Sequence, residues 1–123
     1  MMRITKTMNF DAAHYLDGIG PADAERYGRM HGHSFSMTVT IAGTPDAATG
    51  WVADFDDVTA ALEAVRDELD HHLLNEIEGL SRPTLENIAK WVAAKLSGEF
   101  PGLEQVEIAR PSIGEACIYT LTS

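Results

Sequence analysis

Two early stretches of the chain alternate apolar and polar residues: Met2, Ile4, Met8, Phe10 and Ala12 in the first, and Phe35, Met37, Val39 and Ile41 in the second. A period of two places such residues on one side of an extended strand, so the pattern predicts two strands, over about residues 2–13 and 33–43, able to pair with each other. The breakers Gly18, Gly20, Pro21 and Gly28 predict loop between them, and Gly43-Thr44-Pro45-Asp46 ends the second strand. The period then changes. Carboxylates at Asp54, Asp56 and Asp57 open a helix that carries Val58, Leu62, Val65 and Leu69 on one face. Thr84, after Pro83, caps a second helix with Leu85, Ile88, Ala89, Val92, Ala93 and Leu96 at helical spacing, stopped by Gly98. Two closing strands, about 104–110 and 115–122, flank the turn Pro111-Ser112-Ile113-Gly114. Strand, strand, helix, helix, strand, strand, with one apolar side per helix, predicts an α+β fold in which two helices cover one face of an antiparallel sheet. Such a small sheet keeps two open edges, which invite a second copy, so a homo-oligomer is expected.

Composition narrows this picture. At 123 residues and 45% hydrophobic content, one domain over 1–123 is expected. No run approaches the ~18 apolar residues of a membrane span, and Met1-Met2-Arg3-Ile4-Thr5-Lys6 lacks the apolar centre of a secretion signal, so a cytoplasmic location without membrane contact is expected. The lone Cys117 has no internal disulfide partner, in keeping with a reducing compartment. A formal charge of −10 has the wrong sign for gripping nucleic acid. Arg26 and Arg29 form a local cluster that either meets a small anionic ligand or is solvated loop charge.

Candidate chemistry lies in the histidines. In a strand, His31 and His33 project to the same side while Gly32 crowds nothing, and His14 closes the first alternating segment. Pairing of the first two strands brings all three imidazoles to the apolar side. Three neutral nitrogens suit zinc, and with no cysteine pair or fourth histidine close by, the set reads as an open catalytic site with one position left for water or substrate. The alternative is three ordinary polar residues near strand ends.

Five blocks, in order, carry a resemblance: Phe10-Asp-Ala-Ala-His14, Arg29-Met-His-Gly-His-Ser-Phe35, Gly50-Trp-Val-Ala-Asp-Phe55, Leu69-Asp-His-His-Leu-Leu-Asn75 and Pro83-Thr-Leu-Glu-Asn87. Together they resemble the 6-pyruvoyltetrahydropterin synthase family over nearly the whole chain. Asp70-His71-His72 and the ending Cys117-Ile118-Tyr119 look closest to its bacterial branch, the 6-carboxytetrahydropterin synthases of queuosine (7-deazaguanine) biosynthesis. The resemblance implies a tunnelling fold, ββααββ, whose subunits join edge to edge into a β-barrel, commonly as a dimer of trimers, with active sites between subunits. It implies zinc on His14, His31 and His33, with Asp70 and His71 reaching in from a neighbour. The implied substrate is 7,8-dihydroneopterin triphosphate, converted to 6-carboxytetrahydropterin, acetaldehyde and triphosphate. Zinc would polarise side-chain oxygens, and an Asp70-oriented His71 imidazole would move protons; otherwise Asp70-His71 is a helix C-terminus with a stabilising cation, and His72 is packing or surface. Thr84 and Glu86 match a stretch lining the pterin pocket, though Thr84 also caps a helix. Asp54 reads as a helix-entry carboxylate.

The chain departs from the family pattern twice. Where the family places a proton-abstracting cysteine, four residues before the histidine pair, this chain has Tyr27. Ionising a phenol at pH 7 takes about 4 kcal/mol against about 2 for a thiol, so Tyr27 is either a base with much environmental help or a wall of the pocket. Where the family's pterin-anchoring glutamate sits, eight residues before the closing tyrosine, this chain has Pro111. Glu115, on the other arm of the same hairpin, either supplies that carboxylate or pairs with Arg110. Glu115, Cys117 and Tyr119 share a strand face, which makes Cys117 a further candidate for the missing thiol. These departures leave three readings open: the branch's lyase reaction, a related pterin enzyme with another substrate or side-chain reaction, or a catalytically silent zinc- and pterin-binding protein.

Overall fold

The computed structural model describes residues 1–17 and 24–121, apart from the side chains of residues 24 and 25. The expected loop residues Gly18, Gly20 and Pro21, and Thr122 of the last strand, lie outside that set. Strands β1 (Met2–His14), β2 (His31–Gly43), β3 (Leu103–Arg110) and β4 (Glu115–Thr120) form one sheet in the order β1-β2-β3-β4, every neighbouring pair antiparallel. A short helix, α1 (Ala24–Tyr27), precedes β2, and α2 (Phe55–Leu69) and α3 (Leu85–Lys95) cover one face of the sheet. The alternation of the sequence is the alternation of burial. Phe10, Ala12, Phe35, Met37, Val39, Ile41, Val106 and Ile108 meet Val58, Leu62, Leu69, Ile88 and Val92 in the core, with the rings of Phe10 and Phe35 stacked across β1 and β2.

β2 begins two residues before the expected position, at His31, and β1 runs on to His14. Hydropathy marks the strands only where side chains are apolar, whereas the backbone ladder continues through polar positions as long as each amide finds a partner. The extension makes His14 and His31 direct cross-strand partners, with His33 opposite Ala12. Asp54 accepts from the Asp56 amide at 2.9 Å and Thr84 from the Asn87 amide at 3.1 Å, each satisfying an otherwise orphaned first-turn donor. α3 closes at Lys95, with Leu96 as its cap, earlier than Gly98 implied; Gly98 still supplies the left-handed turn that follows, at φ 83°. At the approach to β3 a side chain on Gly102 would overlap the Ala42 carbonyl oxygen, so this crossing of the chain requires glycine.

After α2 the chain turns along the outer edge of β1. The His71 amide donates to the Asp11 carbonyl at 2.6 Å, and the Ala13 amide to the His72 carbonyl at 3.1 Å. His71 sits at φ 59°, uncommon for a residue with a Cβ, and backbone bonds on both sides hold it there.

Candidate metal centre and adjoining cavities

The ligand-capable nitrogens of His14, His31 and His33 lie within 4.8 Å of one another. Strand alternation aims all three rings at the helix-covered face, and the register sets them at one level, with ring centroids 4.6 to 5.1 Å apart. His14 is 1% exposed, and its Nδ1 lies 2.9 Å from the Pro83 carbonyl oxygen; His31 Nδ1 lies 2.7 Å from the Arg29 carbonyl oxygen. A carbonyl only accepts, so each Nδ1 carries the proton and each Nε2 keeps a free lone pair, as a metal requires. Nε2 of His14 and of His33 are buried with no hydrogen-bond partner. A buried lone pair left unmet costs free energy, and an ion among the three rings would satisfy both. Burial first, and then neighbouring imidazoles and Arg110, holds His33 down to about 4; burial likewise lowers His14 against the opposing pull of the Pro83 carbonyl. His14 and His33 are therefore neutral ligands at neutral pH, and the three rings together can hold a divalent metal.

Two cavities open beside the rings. One, about 340 Å³, is lined by Arg26, Tyr27, His31, Gly32, His33, Arg110, Ile113 and Glu115. The other, about 230 Å³, is lined by Leu16, Tyr27, Thr84, Leu85, Glu86, Arg110 and Glu115. They adjoin at Tyr27, Arg110 and Glu115; Thr84 and Glu86 line the smaller cavity, and His31 and His33 the larger. Glu115 pairs with Arg110 at 3.0 Å, and the Arg26 guanidinium lies 5.4 Å from the Tyr27 ring centre. Cys117 lies on the same strand face as Glu115, but burial first, then Glu86, pushes its thiol up, away from the reactive thiolate.

Asp70 and His71 stand elsewhere in the chain. Asp70 Oδ2 lies 2.9 Å from His71 Nδ1, while Asp70 Oδ1 accepts from the Asp11 amide at 2.8 Å; that amide first, and then His71, hold the carboxyl below its usual range. The pair is oriented as an acid–base relay needs, but the His71 side chain is 79% exposed and lines neither cavity above. It borders a recess of about 540 Å³ whose wall includes Asp11, Ala13, Gly32 and Ser34, positions that alternate with the histidine ligands, together with His33 and His72. In one copy, then, the relay does not face the recess that holds Tyr27 and Glu115.

Sequence reasoning overlooked Arg110 as anything but a partner for Glu115. Its signal was legible: two steps beyond Val106 and Ile108 on the buried side of β3, a charged residue stands where an apolar one was due. The Pro83 carbonyl that orients His14 had no such signal, since 69 positions separate the two.

Residues 3–121 match the family model of 6-pyruvoyl tetrahydropterin synthase. Among characterised proteins, the 6-carboxy-5,6,7,8-tetrahydropterin synthase of Synechocystis sp. is 41% identical over 114 residues, 88% of this chain and 85% of that one. The dihydroneopterin monophosphate aldolase of Pyrococcus furiosus is 35% identical over 113 residues, 92% and 89% of the two chains. Among solved structures, Caenorhabditis elegans 6-pyruvoyl tetrahydropterin synthase superimposes with a TM-score of 0.84 at 25% identity, covering 98% of this chain and 96% of that one. With its ββααββ order, its helices on one face of the sheet and these matches across nearly its whole length, the chain belongs to the 6-pyruvoyl tetrahydropterin synthase family.

Proposed function

We propose that this protein is a zinc-dependent carbon–carbon lyase, acting as one domain, that converts 7,8-dihydroneopterin triphosphate to 6-carboxytetrahydropterin in queuosine biosynthesis, in the cytoplasm. The observation that carries the reading is the trio His14, His31 and His33 beside a ligand-sized recess, in a chain 41% identical to a 6-carboxy-5,6,7,8-tetrahydropterin synthase. Zinc bound there supplies a Lewis acid for the oxygens of the substrate side chain. The Pro83 and Arg29 carbonyls keep the His14 and His31 rings in one tautomer. Glu115 and Glu86 offer carboxylates to the amino and ring N–H groups of the pterin, and Thr84 borders it at the start of α3. Asp70 and His71 of a second copy complete the site, His71 taking or returning a proton while Asp70 fixes its ring. Tyr27, which lines the cavity beside His31 and His33, is the candidate proton acceptor for the side-chain carbon.

Incubating the zinc-loaded protein with dihydroneopterin triphosphate and identifying products by mass tests this reading: acetaldehyde and 6-carboxytetrahydropterin are expected. One relative favours a second reading. The Pyrococcus furiosus protein is named for aldol cleavage of dihydroneopterin monophosphate, and Tyr27 stands here where the synthase pattern has cysteine. Turnover of the monophosphate, with the triphosphate untouched, would select that reaction; binding without turnover of either would mark a silent paralogue.

A further inference from the structure

Among the described residues three buried side-chain nitrogens lack a hydrogen-bond partner, and all belong to one site: Nε2 of His14, Nε2 of His33 and Nε of Arg110. A metal accounts for the two imidazole nitrogens and leaves the guanidinium unexplained. Arg110 ends β3 on the helix-covered side, only 17% exposed, with Nη2 at 3.0 Å from Glu115 and with the site's two cavities meeting at it. Arginine stays charged at every accessible pH, so its buried Nε–H cannot escape the cost of an unmet donor by losing the proton. Glu115 engages the neighbouring Nη2 of the same guanidinium, leaves Nε unmet and is half exposed. Nε is therefore left free to take an acceptor from a bound ligand.

We propose that Arg110 holds an anionic oxygen of the bound ligand next to the metal position, so that the site selects ligands bearing two vicinal oxygens, one for the metal and one for the guanidinium. This rests on the metal-centre reading above. A 2-hydroxy acid is the smallest member of that class, and the side chain of a dihydroneopterin, with its adjacent hydroxyls, joins it when one oxygen gains negative charge. A charge-assisted hydrogen bond to a largely buried guanidinium is strong and directional, which makes this one contact a discriminator among otherwise similar pterin side chains.

Cobalt(II), whose visible absorption responds to each change of ligand, serves as the test metal, and glycolate as the probe. In the cobalt-loaded wild-type protein glycolate is expected to shift the absorption bands. Arg110→Met should weaken glycolate binding by at least about tenfold at unchanged cobalt stoichiometry. Arg110→Lys, which keeps the charge but lacks Nε, should fall between, and it stands in if the methionine variant fails to fold. Glu115→Gln should tighten glycolate binding, because it removes the carboxylate that neutralises the guanidinium. Equal affinities in the wild type and the Arg110 variants overturn the proposal. So does equal weakening by Arg110→Met and Glu115→Gln, which would mark the pair as a brace of the β3–β4 hairpin. Full cobalt loading with no effect of Arg110 defeats this inference alone, whereas a wild-type protein that takes up no cobalt defeats the metal-centre reading and this inference with it.

Discussion

At the scale of single residues, the site depends on imidazoles kept neutral and correctly protonated. His33→Ala removes one of three ligands and should cut bound zinc from about one per chain to near none after dialysis, measured by atomic absorption, because two imidazoles leave a zinc ion short of its usual protein ligands. Metal-free protein should show a matching pH dependence. His33 titrates near 4 in the fold against about 6.5 in an unfolded chain, so the folded state binds fewer protons between those values. Stability to urea should be full above about pH 6.5 and fall as the pH drops toward 4; a midpoint flat across that window, or rising as the pH falls, contradicts the assignment. Tyr27→Phe divides base from wall: loss of about a hundredfold in turnover is expected if the phenol takes the proton, and an unchanged rate reduces it to packing. These roles were only partly legible beforehand. The spacing of His31 and His33 showed a shared face, and the alternation of β3 put the charge of Arg110 on its buried side, but no local pattern showed that the two would share a recess.

At the scale of elements, caps and alternation did most of the work. Asp54 and Thr84 cap their helices as their residue types imply, because capping is decided within one turn of chain. Asp54→Ala should therefore cost about 1 kcal/mol in a urea melt, with zinc content unchanged, since Asp54 lines neither cavity of the site. Strand ends were less legible. The start of β2 at His31 follows from its ladder with β1 rather than from hydropathy, and α1 forms in a stretch whose nearby breakers predict loop. The register of that ladder matters more than its length. A slip of β1 by one residue would turn Phe10 outward, at about 2 kcal/mol or more, and would carry His14 away from His31 and His33.

At the scale of the whole molecule, the proposed active site spans two copies, because Asp70 and His71 do not line the recess of their own chain that holds Tyr27 and Glu115. His33→Ala and His71→Ala should each be inactive alone. Refolded together in equal amounts they should recover about a quarter of wild-type activity, the fraction of sites that draw an intact ligand set from one parent and an intact relay from the other. No recovery, in a mixture shown by light scattering to form trimers or hexamers, would place the relay within a single chain. By itself the sequence determined the strands, the helices, their buried faces and the pairing of His31 with His33, because periods of two and 3.6 residues and a capping side chain are local properties. Only the tertiary structure decided that His14 stands opposite His31, that the Pro83 carbonyl fixes its tautomer, that Arg110 lies in the recess with an unmet donor, and that Asp70 and His71 do not line it. Each of these is a meeting of residues far apart in the chain, set by the register of the ladder and the packing of helices on the sheet, and no local pattern encodes such a meeting.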